Sequence, residues 1–386
     1  MTIIQESNFR TRISSNQVYV IAEIGVNHNG KLRQAHRLIE AAAESGADAV
    51  KFQTFDPSLL VTVGTQLAPY QQVATRGYQS QLEMLRDLAL ARESHYELRD
   101  HSNSLGLDFL STPYDPESLF FLWHDLEVPV IKIASADIVH APLLIAAGAS
   151  QRDIILSTGM ATWEEVVSGL AFLNSGMGRE GDLETAVPDS SELPREPPDF
   201  ATSEAHVVLM QCTSAYPANP EELNLRVITT FARLSGVIPG YSDHSTSSTS
   251  AVAAVALGAR VIEKHLTLSR SDEGPDHAAS VEPDGLATFV SQIRQVTLAL
   301  GSTIKSPTAG EESNRGLLRT SMRASRDIHV GDLVSESDVS VSRPGDGLPP
   351  TFIGRLIGRP ARRQIIAGER FLECDIRDQD QQTSEG

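Results

Sequence analysis

Short apolar runs rich in Val, Ile, Leu and Ala alternate with longer amphipathic stretches from about residue 18 to residue 300. The runs occupy residues 18–24, 49–54, 107–111, 130–134, 154–157, 206–211, 237–241 and 260–264. Between them lie segments with helical spacing, among them 33–44 (RQAHRLIEAAAE), 116–125, 162–173 and 224–234. Apolar runs of this length separated by helices predict βαβ units and a parallel sheet. Eight units predict an α/β fold closed into a (β/α)8 TIM barrel. An open doubly wound sheet is the alternative, but no GxGxxG follows the first run.

The runs end alike. Against apolar bodies, they close on Glu23, on Lys51 and Gln53, on Ser111 and Thr112, and on Lys132, Ser135 and Asp137. The later ones close on Ser157 and Thr158, on Thr213, Ser214 and Tyr216, on Ser242, Asp243 and His244, and on Lys264 and His265. In an α/β barrel the C-terminal strand ends form the catalytic rim. Only five of the 32 lysine and arginine residues are lysine, and Lys51, Lys132 and Lys264 all fall at strand ends. A compact ammonium kept where arginine is the default suits a small anionic substrate. His244 and His265 end neighbouring strands of a closed barrel, which puts two imidazoles within reach of one metal ion. His28, in GVNHNG, either touches substrate or holds the turn.

Composition narrows the partners. A net charge of −18 argues against nucleic acid and anionic membranes, so any phosphate site must be a local basic patch. Two widely spaced cysteines give no disulfide framework, and neither a signal peptide nor a membrane-length apolar run is evident. The expectation is a cytoplasmic enzyme. Residues 1–300 are expected to form the barrel, 301–320 a linker, 321–379 a small β-rich domain and 380–386 a tail. The Pro- and acid-rich stretch 176–204 reads as an insertion, either a lid or a surface loop.

The motifs IAEIGVNHNG, GADAVKFQT, FLSTPYD, IKIASAD, IILSTGMAT, QCTSAYP, GYSDHS, VIEKHLTL and GPDHAAS, in this order, resemble the sialic acid synthase family. The segment RASRDIHVGDLVSESDVSVSRPGDGLPP resembles the antifreeze-like SAF domain at the C-terminus of those enzymes. The resemblance implies condensation of phosphoenolpyruvate (PEP) with an N-acylated mannosamine-type sugar to a nonulosonic acid and phosphate. It implies that Lys51, Thr112, Lys132, Ser135, Ser157 and Ser242 hold PEP. Gln53, Tyr216 and Asp276 would face the sugar, and Glu23 would act as base toward water attacking C2. His244 and His265 would ligate Mn2+ or Mg2+. The SAF domain of a homodimer would reach the partner barrel and lend an arginine to the sugar, with Arg319 fitting better than Arg323.

Two positions depart from the family pattern. Ser214 stands where some members have asparagine, and Asp137 where many have glutamate. Two rival readings remain at this level. One is a Schiff-base pyruvate aldolase or lyase using one of the three rim lysines. The other is a non-catalytic carbohydrate- or ice-binding protein, which has no need for so complete a set of polar strand ends.

Overall fold

The computed structural model describes residues 7–68, 71–72, 75, 77–177, 187–189 and 193–376. The chain forms two compact units, Met1–Gly301 and Ser302–Gly386. In the first, eight parallel strands run β1 Tyr19–Gly25, β2 Ala49–Thr54, β3 Asp108–Pro113, β4 Val130–Ile133, β5 Asp153–Ser157, β6 Val207–Cys212, β7 Val237–Asp243 and β8 Val261–His265. Each lies within two residues of its predicted place. Hydrogen bonding follows the order β3-β2-β1-β8-β7-β6-β5-β4, and β3 packs beside β4 to close the cylinder without a ladder. The fold is a TIM-type barrel with one unzipped seam.

Strand alternation divides the side chains between two environments. Outward residues such as Val20, Ala22, Val50, Phe109, Ile131 and Leu156 pack under the helices in the main core. Inward residues at the N-terminal half, among them Tyr19, Ile21, Leu110, Val130, Ile155, Val208 and Val261, form a second cluster inside the cylinder. The helix Asn8–Ser14 plugs that end, because its Phe9 and Ile13 belong to the inner cluster. Asp108 fixes the plug by accepting from the backbone N–H groups of Asn8 (3.0 Å) and Phe9 (2.9 Å) and from the Tyr19 hydroxyl (2.9 Å). With one mouth sealed, the polar inward residues of the C-terminal half face the other.

The second unit has its own apolar core of Met322, Ala324, Ile328, Val334, Leu348, Leu356, Ile365 and Phe371. Short strands and bridged turns enclose it. β9 Ser321–Ala324 pairs antiparallel with β10 Val339–Ser342. The stretch read as a linker carries a helix, Ala309–Leu318, started by a capping box between Thr308 and Glu311. Within the 176–204 insertion, residues 178–186 and 190–192 lie outside the described residues, as do 377–386 of the tail. The end of the insertion is anchored, since Phe200 is buried in the main core.

Candidate active site

Parallel register brings the strand ends to one level. Glu23 on β1 stands beside Lys51 on β2 and His265 on β8. Gln53 stands beside Thr112, and Ser242 beside Glu263. The Lys51 ammonium lies 2.8 Å from a Glu23 oxygen and 3.5 Å from Glu263, and donates to Thr112 Oγ1 at 3.1 Å. Lys132 donates to Ser157 Oγ at 2.7 Å and to the Ile133 carbonyl at 3.2 Å. All four charged side chains are buried. Glu23 Oε2 touches Lys51 as an ion contact without hydrogen-bond alignment, leaving that oxygen's hydrogen-bonding capacity unused among the described residues.

The two carboxylates are pushed apart electrostatically. Burial, only partly offset by Lys51 and reinforced by Glu263, raises Glu23 to about 7. Burial acts on Glu263 too, but Lys51 and Lys132 outweigh it, helped by the Ser242 hydroxyl at 3.0 Å, and bring it to about 2. Glu263 is thus a fixed anion and Glu23 a carboxyl that changes charge near neutrality, so the two environments separate their chemistry. Burial lowers Lys132, whereas for Lys51 the two glutamates overcome burial and hold the ammonium above its ordinary value.

The histidines converge as expected. Their ring centroids are 5.4 Å apart, and Tyr216 lies 4.3 Å from the His244 ring and 5.8 Å from the His265 ring. His244 Nδ1 contacts the Thr213 carbonyl at 2.7 Å, which fixes it as the protonated nitrogen and leaves the lone pair on Nε2. Among the described residues, His265 Nδ1 is buried without a hydrogen-bond partner, 3.9 Å from Asp276. Burial lowers the pKa of both rings, so each is a neutral imidazole. Burial also raises Asp276 to about 6.

Two glycines report how tightly the remaining residues are gathered. Gly25 has φ +53°, and a Cβ there would meet Glu23 Oε1 at 3.2 Å, Gln53 Nε2 at 3.4 Å and Asp276 Oδ2 at 3.6 Å. Gly159 has φ +44°, and a Cβ would lie 2.5 Å from Ser135 Oγ and 2.6 Å from Ser214 Oγ. Ser135 and Ser214 are 3.3 Å apart, so Ser214, shorter than asparagine, still reaches its neighbour. Asp137 follows on the turn Ser135–Val139 with a buried oxygen that has no hydrogen-bond partner among the described residues, and burial raises it to about 6.

Some strand-end residues belong elsewhere. Lys264 is not on the rim: it points outward, 3.2 Å from Asp243 and 5.8 Å from the Phe289 ring centroid. Ser111 and Thr54 hydrogen-bond each other outside the cylinder, and Thr158 caps the Met210 carbonyl. Within GVNHNG, His28 stacks on Phe52, and its Nδ1 accepts from the Gly30 N–H at 3.0 Å, a turn-holding role. Arg319 belongs to the other unit, where it is exposed and pairs with no carboxylate among the described residues; Arg323 is held by Asp346 at 2.6 Å. Sequence reasoning missed Glu263. Alternation carried the signal, because residues two apart share a face and His265 on the inside requires Glu263 there and Lys264 outside.

The NeuB family model matches residues 38–305, and the SAF domain model matches residues 319–376. The chain belongs to the NeuB family. Among family members it is 37% identical to the N,N'-diacetyllegionaminic acid synthase of Legionella pneumophila, over 95% of this chain and 96% of that one. It is 34% identical to the human N-acetylneuraminate-9-phosphate synthase, over 92% and 91% of the two chains. The crystal structure of the N-acetylneuraminic acid synthetase from Leptospira borgpetersenii, in complex with citrate, superposes with a TM-score of 0.62 at 29% identity, covering 78% of this chain and 90% of that one. The NeuB match begins after β1, so Glu23 lies ahead of it, whereas Lys51, Lys132, Glu263 and both histidines lie inside it.

Proposed function

We propose that this chain is a PEP-dependent synthase that joins PEP to an N-acylated mannosamine-type sugar and releases a nonulosonic acid and phosphate. The observation that carries the reading is the buried array of Glu23, Lys51, Lys132 and Glu263 beside the His244–His265 pair at one barrel mouth. Names of relatives across three nonulosonic acids support the reaction class. The 37% identity to legionaminic acid synthases of Legionella pneumophila and Campylobacter jejuni favours a 2,4-diacetamido acceptor.

Each side chain has a defined task. Lys51 and Thr112 receive the carboxylate of PEP. Lys132, Ser135, Ser157 and Ser242 receive its phosphate through charge-assisted and hydroxyl hydrogen bonds. Gln53, Tyr216 and Asp276 orient the sugar, with Arg319 of a partner subunit in a homodimer completing the set. C3 of PEP forms a bond to the sugar's aldehyde carbon as the C=O π bond breaks, and water adds at C2, its proton passing to Glu23 and on to the former aldehyde oxygen, which becomes a hydroxyl. Cleavage of the bond between C2 and the phosphate oxygen then releases phosphate, which takes the proton of the C2 hydroxyl, and leaves the 2-keto acid. Lys132 stabilises the departing charge.

The two neutral imidazoles and the orphaned His265 nitrogen fit a divalent cation, manganese or magnesium. Held there, it supplies Lewis-acid polarisation of the aldehyde oxygen. Charge balance argues the same way: Glu263 and the ionised fraction of Glu23 already offset most of the charge of the two lysines, so PEP, carrying between about −2.5 and −3 at pH 7, brings excess negative charge. The test is phosphate release from PEP with a panel of 2-acetamido and 2,4-diacetamido sugars, with and without EDTA. One sugar should turn over, EDTA should stop it and Mn2+ restore it. No phosphate with any aldose, or a borohydride-trapped lysine adduct with pyruvate, would overturn the assignment.

A further inference from the structure

Away from the barrel mouth, two helices of the outer layer face each other with matched side chains. The helix Leu32–Glu44 buries Ala35, Leu38 and Ile39, and carries His36 and Glu40 one turn apart. The helix Arg92–Ser104 buries His95 and Leu98, and carries Glu97 and His101 one turn apart. The two helices cross-match. His36 Nδ1 meets His101 Nδ1 at 2.7 Å, with ring centroids 4.8 Å apart. His36 Nε2 meets Glu97 Oε1 at 2.9 Å on the opposite helix, and His101 Nε2 faces Glu40 Oε1 at 4.0 Å. The imidazoles are about three-quarters buried, with side-chain exposures of 23% and 24%, whereas both carboxylates are more than half exposed.

Two ring nitrogens this close share either a proton, in an N–H···N hydrogen bond, or a metal ion. With His36 Nε2 hydrogen-bonded to Glu97 at 2.9 Å, the N–H of that ring sits on Nε2 and its lone pair is left on Nδ1, facing His101. This is the arrangement that outer carboxylates impose on metal-binding histidines. The local charge agrees, since two carboxylates stand behind the rings. We infer that His36 and His101 form a second, peripheral site for a late first-row divalent cation such as Zn2+, bound through both Nδ1 atoms and oriented by Glu97 and Glu40. Two nitrogens on one tetrahedral Zn2+, at bonds of about 2.0–2.1 Å, stand roughly 3.3 Å apart. The rings must therefore part by about 0.6 Å, a small rotation for side chains at the surface. Among the described residues no three His, Cys, Asp or Glu groups gather at ligand distance, so water completes the shell and the carboxylates act from behind the rings. Imidazole donors select Zn2+, Cu2+ or Ni2+ over the harder Mg2+. Such an ion clips together the helices that follow β1 and β2.

Zn2+ binding by equilibrium dialysis and calorimetry tests this in a His244→Ala/His265→Ala/Cys374→Ser background, which removes the inner imidazole pair and the exposed thiol. One equivalent should bind, and adding His36→Gln and His101→Gln should abolish it, with circular dichroism confirming the fold. Glu97→Gln alone should weaken binding roughly 10- to 100-fold. Cu2+ in the same background should give an electron paramagnetic resonance pattern of two nitrogen donors that disappears with the two glutamines. In the otherwise unaltered chain, His36→Gln should remove one equivalent and leave phosphate release unchanged. Equal Zn2+ stoichiometry with and without His36 and His101, or no Zn2+ bound in the starting background, overturns the site. The latter result would identify the contact as a proton-sharing hydrogen bond. Neither outcome bears on the barrel-mouth metal, which that background lacks.

Discussion

Replacing Lys51 by methionine isolates the electrostatics on which the barrel mouth depends. The ammonium is the one cation within 4 Å of both Glu23 and Glu263 among the described residues, at 2.8 and 3.5 Å. Removing it leaves two buried carboxyls with Lys132 alone to balance them. Breaking a buried pair by deleting one partner costs about 3–5 kcal/mol, and Lys51→Met should lose that much in urea or guanidinium unfolding. Neutralising the stranded acid in Lys51→Met/Glu23→Gln should recover a coupling of about 0.5–3 kcal/mol. The pH dependence has a definite sign. Glu23 is already raised to about 7 from an unfolded value near 4.3, so its protonated form is favoured by folding. Its stabilising contribution is complete below the unfolded value and is lost as pH rises through about 7. Without Lys51 that loss grows, and the single variant should be hurt more at pH 8 than at pH 5. In assays, losing one charged hydrogen bond of about 1.5–3 kcal/mol should raise KM for PEP roughly 10- to 150-fold. A Lys51→Met protein as stable as its parent at pH 8, or one that Glu23→Gln destabilises further, would refute the reasoning.

Other expectations follow from the same geometry. A base must be ionised to act, so log kcat/KM should rise with pH along an acid limb near 7, the position of Glu23; Glu23→Gln should flatten that limb in a phosphate-release profile. His244→Ala should abolish Mn2+-restored turnover, measured with EDTA-stripped enzyme, while its thermal unfolding remains cooperative. Gly159→Ala would place a methyl 2.5 Å from Ser135 Oγ at a φ of +44°. The backbone cost is about 1–2 kcal/mol, and KM for PEP should rise because the Ser135–Ser214 space is filled. An unchanged KM there would remove Ser135 from the phosphate site.

How much was legible depended on whether a signal was local. Eight apolar runs and their polar ends sit in contiguous sequence, so strand positions and the shared mouth could be read from periodicity alone. Glu263 was legible in principle through the same period of two, but the scarcity of lysine drew attention to Lys264, which the fold turns outward onto Asp243 and Phe289. His28 and Thr158 show the converse, polar residues in or next to the loops after strands whose partners turn out to be backbone groups.

The sequence by itself determined the barrel, the family and the set of ionisable groups offered to one rim, because a strand's direction and alternation are properties of neighbouring residues. Only the tertiary structure decided which carboxylate each lysine neutralises and that Glu23 titrates near neutrality while Glu263 stays charged. It alone placed Phe9 as a plug in the opposite mouth and set His36 against His101, 65 residues away. These are matters of distance and burial between residues far apart in the chain. Coulomb energy and desolvation depend on a separation of a few ångströms, which no spacing along the sequence records.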